Sequence, residues 1–381
     1  MRKQLIFLLA LSLALSLLLS PVFAIDAEQA APVDYQAKSV LLMERETGSV
    51  LYEDNAHQPL PPASVTKVMT MLLVTEAVDS GRLSLDDMVT TSAYAASMGG
   101  SQVYLEEGET MSVGDMLKAV AVASGNDAAV ALAEHLKGSE SAFVDAMNQR
   151  AQELGMEDTH FVNCTGLPAE GHLTTAYDIA LMSRQLLDHE TIRPFVGTWM
   201  DTLRGGAFQL ANTNKLIHGF DGATGLKTGF TQDAGFCISA SAQREGMELI
   251  AVVLGSETSK DRFNSAKALL NYGFAGWGMA DISPDQPLPP VQVTLGQNES
   301  VPVEPECVTR LLLPKDQAGQ LTVTTELAEE VQAPVSKGQP MGMLRAYVNE
   351  QQVGEVPLVA SADVERLTFS QLFRRLLVGM L

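Results

Sequence analysis

The chain has 381 residues, 46% of them apolar and 19% charged, and a formal charge of −21. That length exceeds one compact core and predicts two folded units, while the composition excludes a disordered chain. The charge excludes a nucleic-acid partner, because phosphates must be met by Lys and Arg and no basic stripe is present.

The N-terminus opens with basic "MRK", continues as apolar "QLIFLLALSLALSLLLS" and closes on "PVFA". This is the pattern of a secretory signal peptide cut after Ala24, so the mature protein is expected to be exported. An uncleaved anchor is the alternative, since the run nearly reaches spanning length. Residues 38–53, "KSVLLMERETGSVLYE", read as two strands around a Gly48 turn. A helix follows Pro62 and runs through "VMTMLLVTEAV" until Ser80 and Gly81 stop it. Residues 84–188 are mainly helical, and the last helix opens on Thr174 or Thr175 as a cap.

From about Gly235 strands return. "FCISASAQREGMELIAVVLGS" alternates and turns at Glu245 and Gly246. "SKDRFNSAKALLNYGFAGW" is then a further helix. Strands at both ends of a helical middle predict an α/β unit of the α+β kind. Its antiparallel sheet would be built from distant segments, with packed helices and a helical lobe that leaves a cleft. Proline-rich "SPDQPLPP", Ser283 to Pro290, reads as a linker, and the short runs beyond it as a small all-β domain. In the tail, Phe369, Leu372, Phe373, Leu376, Leu377 and Met380 share one helical stripe, with Arg374 and Arg375 off it. That pattern suits a helix lying in a membrane interface; docking on the β domain is the alternative. The boundaries expected are therefore a signal peptide at 1–24, the α/β unit at 25–283, the β domain at 284–362 and the amphipathic helix at 363–381.

Cys164, Cys237 and Cys307 are few and odd in number, which argues against a disulfide scaffold. Buried free thiols are the simpler reading, with one bridge left open. The six His show no paired ligand spacing, so no metal is expected.

Chemistry gathers around "PPASVTKVMT", Pro61 to Thr70. Ser64 and Lys67, three residues apart, share one helix face, in a segment that otherwise reads as core, where a lysine is costly. Near the helix start Ser64 also feels the positive end of the dipole. A lysine serves as general base only when neutral, and burial or a second cation lowers its pKa. Two further signals follow in order. "VASGNDAAVALAEHL" sets Ser124 and Asn126 at a helix junction, and "GLKTGFTQDAGF" sets Lys227, Thr228 and Gly229 just before the second hairpin. Lys227 supplies the second cation, and Gly229 would let a substrate backbone approach closely. Taken singly, each is more often a turn or helix break.

The ordered set S-x-x-K, S-x-N and K-T-G is that of penicillin-binding proteins and class A β-lactamases. More closely, the chain resembles the low-molecular-mass penicillin-binding proteins, the D-alanyl-D-alanine carboxypeptidases of serine peptidase family S11. "LPPASVTKVMT", "SGNDAAVALAEHLKGSESAFVDAMNQRAQELGM", "TGLP", "TTAYDIALM", "KTGFTQDAGFCISASA" and "RFNSAKALLNYGF" carry the resemblance. It implies a serine carboxypeptidase that removes the terminal D-Ala of peptidoglycan stem peptides, is acylated by β-lactams and uses no cofactor. Ser64 would be the nucleophile, Lys67 its proton acceptor and Ser124 a proton relay to the leaving amine. Asn126 would hold Lys67 and the substrate amide, and Lys227 would set the local field. Thr228 and Arg262 would bind the substrate carboxylate, and the N–H groups of Ser64 and Phe230 would form the oxyanion hole. Some relatives have His where Phe230 stands, which implies altered substrate preference. A β-lactamase is the first rival, but no Glu followed four residues later by Asn lies between Ser124 and Lys227. A D,D-endopeptidase shares the motifs. A silent cell-wall-binding scaffold would be expected to have lost one of the four catalytic side chains.

Overall fold

The computed structural model describes residues 33–379 apart from Asp285 and Val308, and residues 376–379 by backbone alone. The expected signal peptide lies outside the described residues. The chain divides into two compact units that part between Gly273 and Phe274, with Glu245–Met247 assigned to the second.

The first unit is built on a five-stranded sheet. Its strands are β1 (Ser39–Glu44), β2 (Val50–Asp54), β7 (Ala223–Thr231), β8 (Gly235–Arg244) and β9 (Met247–Ser256), in the order β2-β1-β9-β8-β7. Two short hairpins, β3 (Met88–Thr90) with β4 (Thr110–Ser112) and β5 (Met200–Leu203) with β6 (Phe208–Ala211), lie outside it. β1 runs antiparallel to β9, from Ser39 opposite Leu254 to Glu44 opposite Leu249, so the two ends of the unit meet in the sheet's centre. Both residues of the β8–β9 turn, Glu245 and Gly246, have positive φ, the backbone that matches strand twist in a two-residue hairpin.

Five long helices precede β7. They are α1 (Lys67–Asp79), α2 (Val113–Ala123), α3 (Asn126–Lys137), α4 (Glu140–Glu153) and α5 (Ala176–Leu187). A sixth, α6 (Ser259–Gly276), follows β9. α1 is buried without a break from Lys67 to Thr75; with no polar face it belongs inside the fold. The others start on side-chain caps where hydroxyls precede them. Ser112 accepts from the Asp115 N–H, Ser139 from Ala142 and Thr175 from Asp178, each filling a donor that the first turn leaves free. β9 is buried along its whole length, as is β1.

The sheet–helix–sheet order and both hairpins follow the sequence reading. β7 does not, because the K-T-G segment was placed before the sheet. "ATGLKTGFT" has two glycines, a lysine and no apolar alternation, so it lacks a strand signature. It becomes a strand by pairing with β8, Lys227 opposite Ser239 and Gly229 opposite Cys237.

In the second unit β10 (Trp277–Asp281) pairs with β14 (Arg310–Pro314). β11 (Val291–Thr294) lies between β12 (Ser300–Val301) and β16 (Glu330–Gln332). A four-stranded sheet takes β13 (Val303–Pro305), β18 (Gln351–Ala360), β17 (Pro340–Val348) and β15 (Thr322–Leu327) in that order. α7 (Phe369–Gly379) closes the described chain. Its Phe369 and Phe373 rings stack at 6.4 Å and stay 84% and 56% exposed. Arg375 donates to the carbonyls of Gly296 and Gln297. Met380 of the expected stripe lies outside the described residues. No helix among the described residues is long and apolar enough to cross a membrane.

Candidate active site

Ser64 sits not in an α-helical turn but in a tighter 3-10 turn, Ala63–Thr66, that runs straight into α1. Ala63 is held at φ +49, a left-handed backbone that costs a residue with a Cβ about 1–3 kcal/mol and persists only where neighbours enforce it. The enforcing contacts are visible. Thr66 Oγ1 donates to the Ala63 carbonyl at 2.9 Å. Gly166 passes so close that a Cβ there would sit 1.8 Å from that same oxygen. On the other side, a Cβ on Gly229 would lie 2.8 Å from the Pro62 carbonyl and 2.9 Å from Ser64 N. Gly229 was expected to admit a substrate backbone; the close approach the structure shows at its Cα is that of the Ala63–Thr66 turn.

Lys67 is fully buried. Its Nζ lies 3.0 Å from Ser64 Oγ and donates to the Thr165 carbonyl at 2.6 Å. Burial pulls the ammonium down from 10.5 to about 7, with Cys164 and Asp127 acting in the opposite sense. Of these two, Asp127 is the one that counts. Burial and then Glu140 push the Cys164 thiol well above its ordinary value, so that sulfur is neutral and offsets little.

Ser124 caps α2 with left-handed φ and ψ of 63° and 29°. This backbone puts its hydroxyl at a helix junction, where Oγ is buried and has no hydrogen-bond partner. Asn126 was expected to hold Lys67. Instead its amide nitrogen donates to the Gly99 carbonyl at 2.6 Å, and its Oδ1 is buried without a partner. The adjacent Asp127 is wholly buried and accepts from the N–H groups of Val103, Leu105 and Ala128. Those bonds pin the loop that carries Gly99 to the start of α3.

Lys227 is also fully buried, and its Nζ donates to the Thr228 carbonyl. Its pKa falls well below the ordinary value, first through burial and then through repulsion from Lys67 and Arg262. Repulsion between two ammonium groups is mutual, so it opposes protonation of whichever lysine is charged second. Lys227 was expected as a second cation beside Lys67; the structure sets the two lysines near enough to interact, but the fall at Lys67 comes from burial, and Lys227 is itself drawn away from the charged form. Thr228 Oγ1 donates to Thr213 Oγ1 at 2.7 Å. Phe230 is 53% exposed and stacks on Phe236. Arg262 donates to the carbonyls of Gly229 and Cys237 and to Ser259 Oγ, with Nε buried and unpartnered. Burial brings its pKa down to about 10. Beside the Ala63–Thr66 turn a cavity of about 340 Å³ is lined by Pro62, Ala63, Gly166, Leu167, Glu170 and His172, among others.

A family model described as D-alanyl-D-alanine carboxypeptidase matches residues 26–258, and one described as penicillin-binding protein 5, C-terminal domain, matches 282–366. The chain is 40% identical over 355 residues to the D-alanyl-D-alanine carboxypeptidase DacF of Bacillus subtilis, covering 92% of this chain and 91% of that one. It belongs to the D-alanyl-D-alanine carboxypeptidases of peptidase family S11. The structure of penicillin binding protein 5 from Haemophilus influenzae superposes with a TM-score of 0.74 at 30% identity, covering 88% of this chain and all of that one. Penicillin-binding protein D2 of Listeria monocytogenes in its ampicillin-bound form superposes at 0.57 with 35% identity, covering 64% of this chain and all of that one.

This carboxypeptidase is a serine hydrolase of a penicillin-binding family that acts on peptidoglycan, outside the cytoplasm. Sequence reasoning missed several residues that shape its site: Thr165 as a partner of Lys67, Thr66 and Gly166 against Ala63, Asp127 under Asn126 and Thr213 beside Thr228. Asp127 follows directly on the S-x-N signal, so a charged side chain at a helix start was a readable clue. The others come from contacts between distant segments. Cys164 and Cys237 are buried free thiols, and Cys307 is an exposed one.

Proposed function

We propose that Ser64 attacks the carbonyl carbon of the penultimate D-Ala of a stem peptide and that Lys67 takes its proton. The observation that carries this is the 3.0 Å approach of Ser64 Oγ to a fully buried Lys67 drawn toward neutrality. In the neutral amine one hydrogen goes to the Thr165 carbonyl, which leaves the nitrogen lone pair for Ser64. The N–H groups of Ser64 and Phe230 stabilise the oxyanion, a contribution of about 3 kcal/mol per donor. Ser124 passes a proton to the leaving D-Ala amine, its free hydroxyl being available for that role. Asn126 binds the substrate amide through its unpartnered Oδ1. Lys227 lowers the affinity of Lys67 for a proton, and Thr228 and Arg262 bind the terminal carboxylate. Water then releases the shortened peptide. A penicillin carries a reactive amide and a carboxylate and acylates the same serine.

We read the full chain as a leader at 1–24, a catalytic unit to 283, a β domain at 284–362 and a membrane-associating helix at 363–381, although its two compact units part earlier, between Gly273 and Phe274. The exposed Phe369 and Phe373 beside Arg374 and Arg375 support the last of these, and with it the reading that the enzyme works at the outer face of the cytoplasmic membrane or in the cell wall. The test of the nucleophile is covalent labelling by a fluorescent penicillin, with release of free D-Ala from a pentapeptide measured alongside. Both are expected to disappear in Ser64→Ala; labelling that persists in this variant overturns the assignment.

A further inference from the structure

A buried histidine outside the three motifs is tied to the nucleophile turn. His172 is only 4% exposed and lies in the segment that precedes α5. Its Nδ1 accepts from the Val162 N–H at 3.0 Å, and its Nε2 is 2.8 Å from Thr66 Oγ1. Thr66 gives its one hydroxyl hydrogen to the Ala63 carbonyl, so Nε2 carries the hydrogen of the pair and donates to Thr66. Burial, then repulsion from His160, holds the ring down at about 4, consistent with that single neutral tautomer.

The relay runs from Val162 through His172 and Thr66 to the Ala63 carbonyl. That carbonyl and the Ser64 N–H are two ends of one planar peptide unit. Fixing the direction of the carbonyl therefore fixes the direction of the N–H, which lies in the same plane and points the opposite way. We propose that His172 is a positioning residue for acylation: acting through Thr66, it orients the Ala63–Ser64 peptide and so aims the Ser64 oxyanion donor. Gly166 backs the same carbonyl, and the positive φ of Ala63 is the strain that such bracing would sustain. This inference rests on the reading of Ser64 as nucleophile.

The test is stopped-flow acylation of the full-length protein by benzylpenicillin, which separates initial binding from bond formation. In His172→Phe the acylation rate constant is expected to fall about ten- to hundredfold with initial binding unchanged, the loss that follows from a misplaced catalytic group. Two conservative variants divide the ring's functions. His172→Gln carries an amide donor near the position of Nε2 and should recover most of the rate. His172→Asn offers an acceptor only near Nδ1 and should not. The losses of His172→Phe and Thr66→Val should overlap when combined, because both break one relay. The proposal is overturned by an unchanged rate in His172→Phe, by equal losses in the Gln and Asn variants, by rescue from Asn alone, or by fully additive losses with Thr66→Val. Should His172→Phe not fold, the comparison of Gln with Asn decides. Peptide mapping of the penicillin label keeps the two readings apart. A label away from Ser64 defeats the nucleophile assignment, whereas a label on Ser64 with unchanged rates defeats only the role of His172.

Discussion

Lys67 holds two opposed requirements in one side chain. In the proposed chemistry it has to be neutral to take a proton, and burial is what draws it toward neutrality. The enzyme is therefore expected to lose acylation rate as pH falls through about 7, because below that value Lys67 binds the proton it would otherwise take from Ser64. The check is the pH profile of penicillin acylation, which should rise to a plateau above neutrality; a flat profile from pH 5 to 9 contradicts it. In Lys67→Ala acylation should fall by about 10²–10⁴, the usual contribution of a positioned base, in protein that still folds. Stability carries the same sign. Between about 7 and 10.5 the unfolded chain holds a proton on this lysine that the folded chain has released, so stability rises with pH across that window.

At the scale of elements, the site exists because β7 lies against the 3-10 turn that leads into α1. A side chain at Gly229 would meet the Pro62 carbonyl and Ser64 N inside 3 Å, and neither is a flexible group that could swing away. Gly229→Ala should thus push strand and turn apart. The expected result is about 1–3 kcal/mol of lost stability from overpacking, with penicillin acylation reduced about tenfold or more. Thermal melts and acylation rates measure both, and a wild-type rate would show that the turn has slack. Elements of this kind were unevenly legible in the sequence. The β8–β9 hairpin could be read because apolar alternation and Glu245-Gly246 are local signals, and the cap of α5 because Thr175 precedes its apolar face. β7 was not, since Gly, Lys and Thr give no strand pattern and only β8 makes it one. Ser64, Lys67, Ser124 and Lys227 were named from spacing; the structure joins Ser64 to Lys67 across one turn, puts Ser124 at a helix end and Lys227 on β7. The true partner of Asn126, the Gly99 carbonyl, depends on a loop path that no spacing reveals. His172 lies 106 residues from Thr66, and nothing along the chain joins them.

For the whole molecule, Ser64, Lys67, Ser124, Lys227 and Arg262 all belong to the first unit, so the proposed chemistry lies in that unit alone. Placement at a membrane is the role proposed for α7. Removal of residues 365–381 should leave penicillin acylation unchanged and abolish co-sedimentation with vesicles containing phosphatidylglycerol; equal sedimentation of both forms contradicts the proposed membrane role of α7. The central place of β1 in the sheet bears on how the enzyme comes into being. Ser39 to Glu44 have no partner on one side until Leu249 to Leu254 are in place, a long-range closure that slows folding. A chain appearing N-terminus first has made Ser64, Lys67, Ser124 and Lys227 before it has made β9. Those four side chains of the proposed chemistry are then present in a polypeptide whose sheet is still open and whose Arg262 is still to come, so reactivity toward penicillin is expected only after the last strand of the sheet arrives.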